Sequence, residues 1–392
     1  MTVLVQKYGG SSVADVEKIG KVADRVVAAK QAGSDVVVVV SAMGKTTDGL
    51  LALAKSVHAD APRRELDMLV STGERVTMAL LSIAIHARGC DAISFTGSQS
   101  GIITNDRHFD ARILEVRPHR IEDELARGRI VIVAGYQGMS YRREITTLGR
   151  GGSDTTAVAL AAALGAERCE IYSDVDGVYS ADPRVVPEAV HLPEIDLASL
   201  QEMAEAGAKV LNAQAVEWAR RGKIVLHARK TSDPVGGGRE TVATETPEPK
   251  HVRAVVGLDR VVHARLPASE LRAFAELAGE LDVPLLDVAS SGEAATCSIP
   301  LANVPDWGAC RARIDERTRG VTLEGDRGVV SVVGDGLTTS ARALPRVLAV
   351  LGELGVTARA VHAGPLRISA TIDAAALAAT QRALHAAFVG ER

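Results

Sequence analysis

Val36-Val37-Val38-Val39-Val40-Ser41 sets five β-branched apolar residues in an unbroken run and ends them on a hydroxyl. A strand that is apolar at every position, rather than at alternate ones, is buried on both faces, as parallel strands covered by helices are. The same signature recurs at Val3–Gln6, Ala92–Thr96, Ile130–Ala134, Cys169–Ser173 and Ile224–His227. Between these runs, Ala14–Ala32, Thr72–Ala87 and Thr155–Leu164 read as helices. Strands and helices alternating over residues 1–230 predict an α/β sandwich built on a mainly parallel sheet.

Composition shifts at Thr231–Lys250, where glycines, prolines and charges crowd together and read as a boundary. We therefore expect one domain over residues 1–245 and another region over 246–392. Beyond the boundary the units shorten. Strand Val261–Leu266, helix Ser269–Leu281, strands Val283–Ala289 and Ala294–Pro300, helix Val304–Arg317 and strand Val321–Glu324 follow in order. The order then repeats through Val329–Val333, Ala341–Leu354, Val356–His362, Leu366–Ile372 and Ala374–Phe388, and AGELDV at 278–283 echoes LGELGV at 351–356. Two ferredoxin-like β-α-β-β-α units result, at 261–325 and 326–392. The second lacks a final strand, which Arg253–Val256, within 252–258, supplies if the units interleave.

Bulk properties exclude several classes. Hydrophobic residues make up 46% and charged residues 24% of 392, the mix of a soluble globular protein. The net charge of −4 and the lack of a basic tract argue against nucleic acid as a partner. Cys90, Cys169, Cys297 and Cys310 are scattered without a C-x-x-C pair, which fits reduced apolar fillers in a cytoplasmic protein. The opening MTVLVQKYGG lacks the form of a signal peptide. The apolar run Ala157–Ala166 falls short of the roughly 20 residues that cross a bilayer, so no membrane role is expected.

Four segments gather glycine, charge and hydroxyls at the ends of expected strands, where open α/β sheets bind ligands. In Lys7-Tyr8-Gly9-Gly10-Ser11-Ser12, two glycines allow a phosphate close to the backbone, a helix starting near Ala14 aims its N–H groups there, and Lys7 adds a point charge. The plainer reading is a tight turn beside a surface lysine. In Leu148-Gly149-Arg150-Gly151-Gly152-Ser153-Asp154-Thr155-Thr156, glycines again open an anion site, Ser153 or Asp154 can cap the helix, and Arg150 offers a fork for a carboxylate or phosphate. This segment partly mimics a dinucleotide fingerprint, but Asp154 falls where the third glycine belongs and would repel a pyrophosphate. Tyr172-Ser173-Asp174-Val175-Asp176-Gly177 suggests a calcium loop that lacks its closing glutamate. Its acids suit magnesium or a ribose instead, with Arg184 near phosphates, or else form an acidic surface turn. Glu74 in Ser71-Thr72-Gly73-Glu74-Arg75 either favours the helix dipole or grips a substrate ammonium.

Taken together these segments resemble the aspartate kinases. The match runs in order through KYGGSSVA (7–14), VVVVVSAMGKTTDGL (36–50), STGER (71–75), SFTGSQSGI (94–102), VAGYQG (133–138), TTLGRGGSDTTAVALAAALGA (146–166), CEIYSDVDGVYSADPR (169–184) and AGAKVL (206–211). The resemblance implies an amino acid kinase domain followed by two ACT-type regulatory units. It implies transfer of the γ-phosphoryl group of ATP to the β-carboxylate of L-aspartate, the first step towards lysine, threonine and methionine. Lys7, Tyr8, Gly9 and Gly10 would then cradle phosphates with Ser41 nearby. Ser173, Asp174, Tyr179, Asp182, Arg184 and Lys209 would line the nucleotide site. Thr47, Glu74, Arg150, Gly151, Gly152, Ser153 and Asp154 would hold aspartate, with Lys7, Arg150 and Asp154 carrying the chemistry. Mg²⁺ would be held mainly by the ATP phosphates, with no dedicated protein site.

Physical chemistry agrees with this set. A carboxylate of pKa near about 4 is already an anion at neutral pH and needs no general base. Two anions must instead be brought together, which takes cations and backbone N–H groups. A kinase of a related amino-dicarboxylic acid, or a catalytically silent amino-acid sensor, remains an alternative. ACT-type units associate in this family, so a homodimer or larger homo-oligomer is expected. The tail departs from the family at three turns. Leu266-Pro267-Ala268-Ser269 replaces Asp-x-Pro-Gly, Asp287-Val288-Ala289-Ser290 replaces Gln-Asn-Val-Ser, and His362-Ala363-Gly364-Pro365 replaces Ser-Thr-Ser-Glu. These departures predict weakened or altered feedback by lysine and threonine.

Overall fold

The computed structural model describes residues 2–245 and 252–390. The expected junction at 245/246 abuts residues 246–251, which lie outside the described residues. Contacts group the chain into two compact units. The first takes the chain up to Val178, then Leu192–Leu197 and the stretch from Val210 to the end of the first described segment. The second takes Tyr179–His191, Ala198–Lys209 and the second described segment.

The first unit is built on an eight-stranded sheet. Its order is Glu194–Asp196, Glu240–Thr244, Val225–Lys230, Arg168–Ser173, Val3–Tyr8, Asp35–Val40, Ile130–Ala134 and Ala92–Phe95. All neighbours run parallel except Glu240–Thr244 against Val225–Lys230. The valine run sits at the centre and is wholly buried. Val36, Val38 and Val40 pack with Ile19, Val22 and Val26 of helix Val16–Gln31 and with Leu81 and Ile85 of helix Thr72–His86. By alternation the other valines face helix Gly152–Ala163, which packs on strands Val3–Tyr8, Asp35–Val40 and Arg168–Ser173.

Three expectations need correction here. Glu240–Thr244, inside the stretch read as a boundary, is a strand of this sheet. A second, four-stranded sheet of Ile113–Val116, Ile102–Thr104, Gln137–Ser140 and Ile145–Thr147 was not expected. Nor was helix Thr46–Val57, which buries none of its residues and so shows no buried stripe. Residues 63–86 meet the length and hydropathy of a membrane span, but they form two helices and half of the apolar window is buried, as in a core helix.

The second unit carries a six-stranded antiparallel sheet ordered Leu286–Ser290, Ala294–Pro300, Ala254–Pro267, Thr322–Val333, Arg367–Asp373, Ala360–Ala363. Two long strands replace four expected short ones. Ala254–Pro267 and Thr322–Val333 pair along their lengths, with irregularities between Leu258 and His263. One half of each strand serves each ferredoxin-like unit. Helices Leu271–Glu280 and Trp307–Arg317 cover one half through Phe274, Leu277 and Ile314. Helices Ala343–Glu353 and Leu377–Phe388 cover the other through Val347, Leu351 and Leu384.

Candidate active site

Strands Arg168–Ser173, Val3–Tyr8, Asp35–Val40 and Ile130–Ala134 are parallel neighbours, so their C-terminal ends open onto one edge. The chain leaves each strand there through a segment singled out above. Gly9 N–H donates to Tyr172 O at 3.0 Å, Ser41 N–H to Tyr8 O at 3.1 Å, and Gly44 N–H to Gly10 O at 3.0 Å. Thr231 joins the same edge: its N–H donates to Ser173 O at 2.9 Å and its hydroxyl lies 2.6 Å from that of Ser12. Lys7, Gly9, Gly10, Ser41 and Ser173 are thereby gathered at one place, with Asp174 following Ser173 on the exposed side.

Gly10 is required by space. A Cβ there would stand 2.9 Å from Ala42 O and 3.0 Å from Gly44 O. The expected helix N-terminus behind this loop is corrected, however. A short 3-10 turn, Gly10–Val13, comes first, and helix Val16–Gln31 is closed at its start by Asp15, which accepts from Lys18 N–H. Free N–H groups near Gly10 therefore belong to the turn rather than to the helix.

Lys7 points to the face covered by helix Gly152–Ala163 and pairs with Asp154, Nζ to Oδ1 2.6 Å, with both side chains about nine-tenths buried. Neither Ser153 nor Asp154 caps that helix. Gly151 does so at φ 76°, where a Cβ would press on Asn212 at 2.8 Å. Asn212, from the loop before helix Ala213–Gly222, donates to Arg150 O at 2.6 Å and accepts from Gln214 N–H at 2.8 Å. It pins the glycine loop while Arg150 itself stays exposed. Ser153 packs against Gly135, whose missing Cβ would meet Ser153 Oγ at 2.7 Å, and Gly152 fits against Leu148 and Tyr136. Tyr8 alternates with Lys7 and so faces the other way. Its buried ring stacks on Tyr172 at 4.9 Å, which leaves only its backbone on the Lys7 side.

Glu74 is 3% exposed. Its Oε1 accepts from Ala42 N–H at 3.1 Å, while among the described residues Oε2 has no hydrogen-bond partner. Desolvation pushes its carboxyl up to about 7, against the pull of the Ala42 and Glu74 N–H groups. A buried carboxylate with an unused oxygen is costly unless a cation comes to it. Thr47, on helix Thr46–Val57, is half-buried on the same side of the fold, since Gly73, just before Glu74, packs on Ala42 and Thr46.

Tyr179, Asp182, Arg184 and Lys209 belong to the second unit. There Asp182 accepts from Arg184 Nε at 3.0 Å and Nη2 at 2.9 Å, which holds its carboxyl below the ordinary range. The Tyr179 ring meets His191 edge-on at 5.3 Å, and Lys209 lies 3.6 Å from Asp259. Among the described residues no cluster of three or more acids, histidines or cysteines is placed to hold a metal ion.

A model of the amino acid kinase family matches residues 2–229. The aspartokinase of Mycolicibacterium smegmatis is 42% identical over 408 residues, spanning 99% of this chain and 96% of that protein. That of Mycobacterium tuberculosis is 43% identical over 406 residues, with 99% and 96% spanned. The crystal structure of E. coli aspartokinase III in complex with aspartate and ADP superposes with a TM-score of 0.87 at 24% identity, covering 98% of this chain and 99% of that one. The chain belongs to the amino acid kinase family and, within it, to the aspartokinases.

Proposed function

We propose that the site transfers the γ-phosphoryl group of ATP to the β-carboxylate of L-aspartate, giving 4-phospho-L-aspartate and ADP. The observation that carries the reading is Glu74, a buried carboxylate with one oxygen unsatisfied, placed beside the loop that packs on Gly10. An ammonium satisfies it, and a substrate amino group supplies one. Arg150 takes the α-carboxylate through its fork, with Thr47 and Ser153 alongside. The β-carboxylate then lies towards Lys7, attacks the γ-phosphorus as an anion, and displaces ADP with no proton to move.

Lys7 lowers the barrier by meeting charge on the transferring group. Asp154, an anion itself, serves by holding Lys7 in place. The backbone around Gly9 and Gly10 cradles phosphate oxygens, and Ser41, Ser173 and Asp174 border it. Tyr179, Asp182, Arg184 and Lys209 are assigned to the nucleotide by the resemblance. Mg²⁺ accompanies the nucleotide and neutralises phosphate charge. We read residues 1–245 as catalytic and 246–392 as regulatory. The chains associate as a homodimer or larger through the second unit, whose edge strands leave Val288 and Val361 exposed, and they work in the cytoplasm. Calorimetric titration tests the site: L-aspartate binds the parent and not Glu74→Ala, while both bind ATP equally. Equal aspartate binding by both proteins would remove Glu74 from the site.

A further inference from the structure

Asp67, on the short helix Arg63–Val70, is wholly buried and takes no part in the reaction described above. Its carboxylate nonetheless collects donors from two distant segments. His108 Nδ1 donates to Oδ2 at 2.6 Å, and Phe109 N–H donates to both oxygens at 3.1 and 3.2 Å. Thr147 Oγ1 makes a further short hydrogen bond to Oδ1. Phe109 sits at φ 71°, a conformation unfavourable for a bulky residue, so its N–H is held on Asp67 against backbone strain. The same loop grips Thr147 from the other side, with Ala111 N–H donating to Thr147 O at 2.8 Å.

Thr147 stands three residues before Arg150. Thr147 pairs with Gln137 across antiparallel strands, and Tyr136 O accepts from Leu148 N–H at 2.9 Å. The next residue, Gln137, donates through Nε2 to Ser71 O at 2.9 Å and accepts from Arg75 Nε at 3.3 Å. Ser71 N–H donates back to Asp67 O at 3.1 Å, and Ser71 stands three residues before Glu74. A closed, buried ring results: Asp67, Thr147, Gln137, Ser71. One side of it leads out to Arg150 and the other to Glu74.

We propose that Asp67 is a positioning residue for the amino-acid substrate, its ring setting the separation between Arg150 and Glu74. The inference rests on the reading that those two residues hold aspartate. A carboxylate suits the hub because it accepts several bonds and brings no donor of its own, whereas an amide would turn an N–H₂ towards one of the groups already donating to it. In a dry interior such a ring is stiff, so its geometry is passed to both grips.

The test uses the full chain with Mg-ATP. Thr147→Val keeps the shape and deletes the hydroxyl; Thr147→Ser keeps the hydroxyl. The valine variant raises the KM for aspartate at least about tenfold and leaves that for ATP within about twofold, while the serine variant stays within about threefold of the parent. A role in folding alone would lower the amount of active enzyme and move neither KM. Gln137→Met cuts the ring on its far side and gives the same aspartate-selective change, which keeps the test open if Thr147→Val does not fold. Aspartate KM values within about twofold of the parent in the folded variants overturn the inference, as does a parallel rise for ATP. If Glu74→Ala still binds aspartate, the underlying site reading has failed; if it does not and the ring variants behave as the parent, the ring alone has failed.

Discussion

Replacing Glu74 by glutamine separates what this carboxylate costs the fold from what it does for the substrate. Burial raises its carboxyl from an ordinary 4.5 to about 7. The native state therefore holds the proton more tightly than the unfolded chain does. Stability is accordingly highest below about pH 4.5 and falls as the pH rises towards 7. At about 1.4 kcal/mol per pKa unit, the ionised group costs the native state about 3 kcal/mol at pH 8 and less than about 1 kcal/mol at pH 5. Glutamine keeps the shape and the acceptor for Ala42 N–H but never ionises. Its effect on stability should thus be more favourable at pH 8 than at pH 5 by about 2–3 kcal/mol. Urea unfolding of parent and variant at both pH values reads this difference directly. The same variant should use aspartate poorly, since a lost charged hydrogen bond costs about 1.5–3 kcal/mol, or tenfold and more in KM. An equal effect of the substitution at both pH values, or an unchanged aspartate KM, would refute the reasoning.

Other outcomes follow from the same geometry. Because Glu74 must be ionised to take an ammonium, the aspartate KM of the parent should climb as pH falls below 7, approaching about tenfold per unit, with the ATP KM flat; equal slopes for both substrates would point away from Glu74. Lys7→Ala leaves Asp154 buried without its cation and so lowers stability. The enzyme that remains folded should lose several hundredfold in kcat, about 3–4 kcal/mol; activity of that folded enzyme within about threefold of the parent would take Lys7 out of the mechanism. Gly10→Ala must push its Cβ against Ala42 O and Gly44 O, so the ATP KM should rise while aspartate binding, read by calorimetry, holds. Lysine and threonine together should inhibit weakly at subsaturating aspartate, since Asp287, in one departing turn, is taken up by Arg367 at 2.8 Å and Ser369 at 3.1 Å; half-inhibition by the pair at submillimolar concentration would contradict this.

The central sheet was legible because burial on both faces forces an apolar residue at every position, and Val36 to Val40 can hardly be anything else. Strands of three or four residues carrying glycine and hydroxyls, such as Ile102–Thr104 and Gln137–Ser140, leave no periodicity to read. Glu240–Thr244 was hidden by the glycines and prolines on either side of it. In the site, the glycines and cations stood out by composition, but their partners did not. Asp154 pairs with Lys7 across more than half of the unit's sequence, and Asn212 reaches the Arg150 loop from 62 residues away. Two signals were nevertheless available. Period-two alternation already placed Tyr8 on the face opposite Lys7. Asp67 lies between the buried Leu66 and Val70 of its helix, and an acid on a buried stripe calls for donors.

The most direct trial of the account is ADP release by the purified protein with Mg-ATP and each of a panel of amino acids, with the acyl phosphate trapped by hydroxylamine. Release and hydroxamate that depend on L-aspartate, and are far weaker with glutamate or other amino-dicarboxylic acids, are the predicted result; no aspartate-dependent product, or faster turnover of another acid, would contradict it.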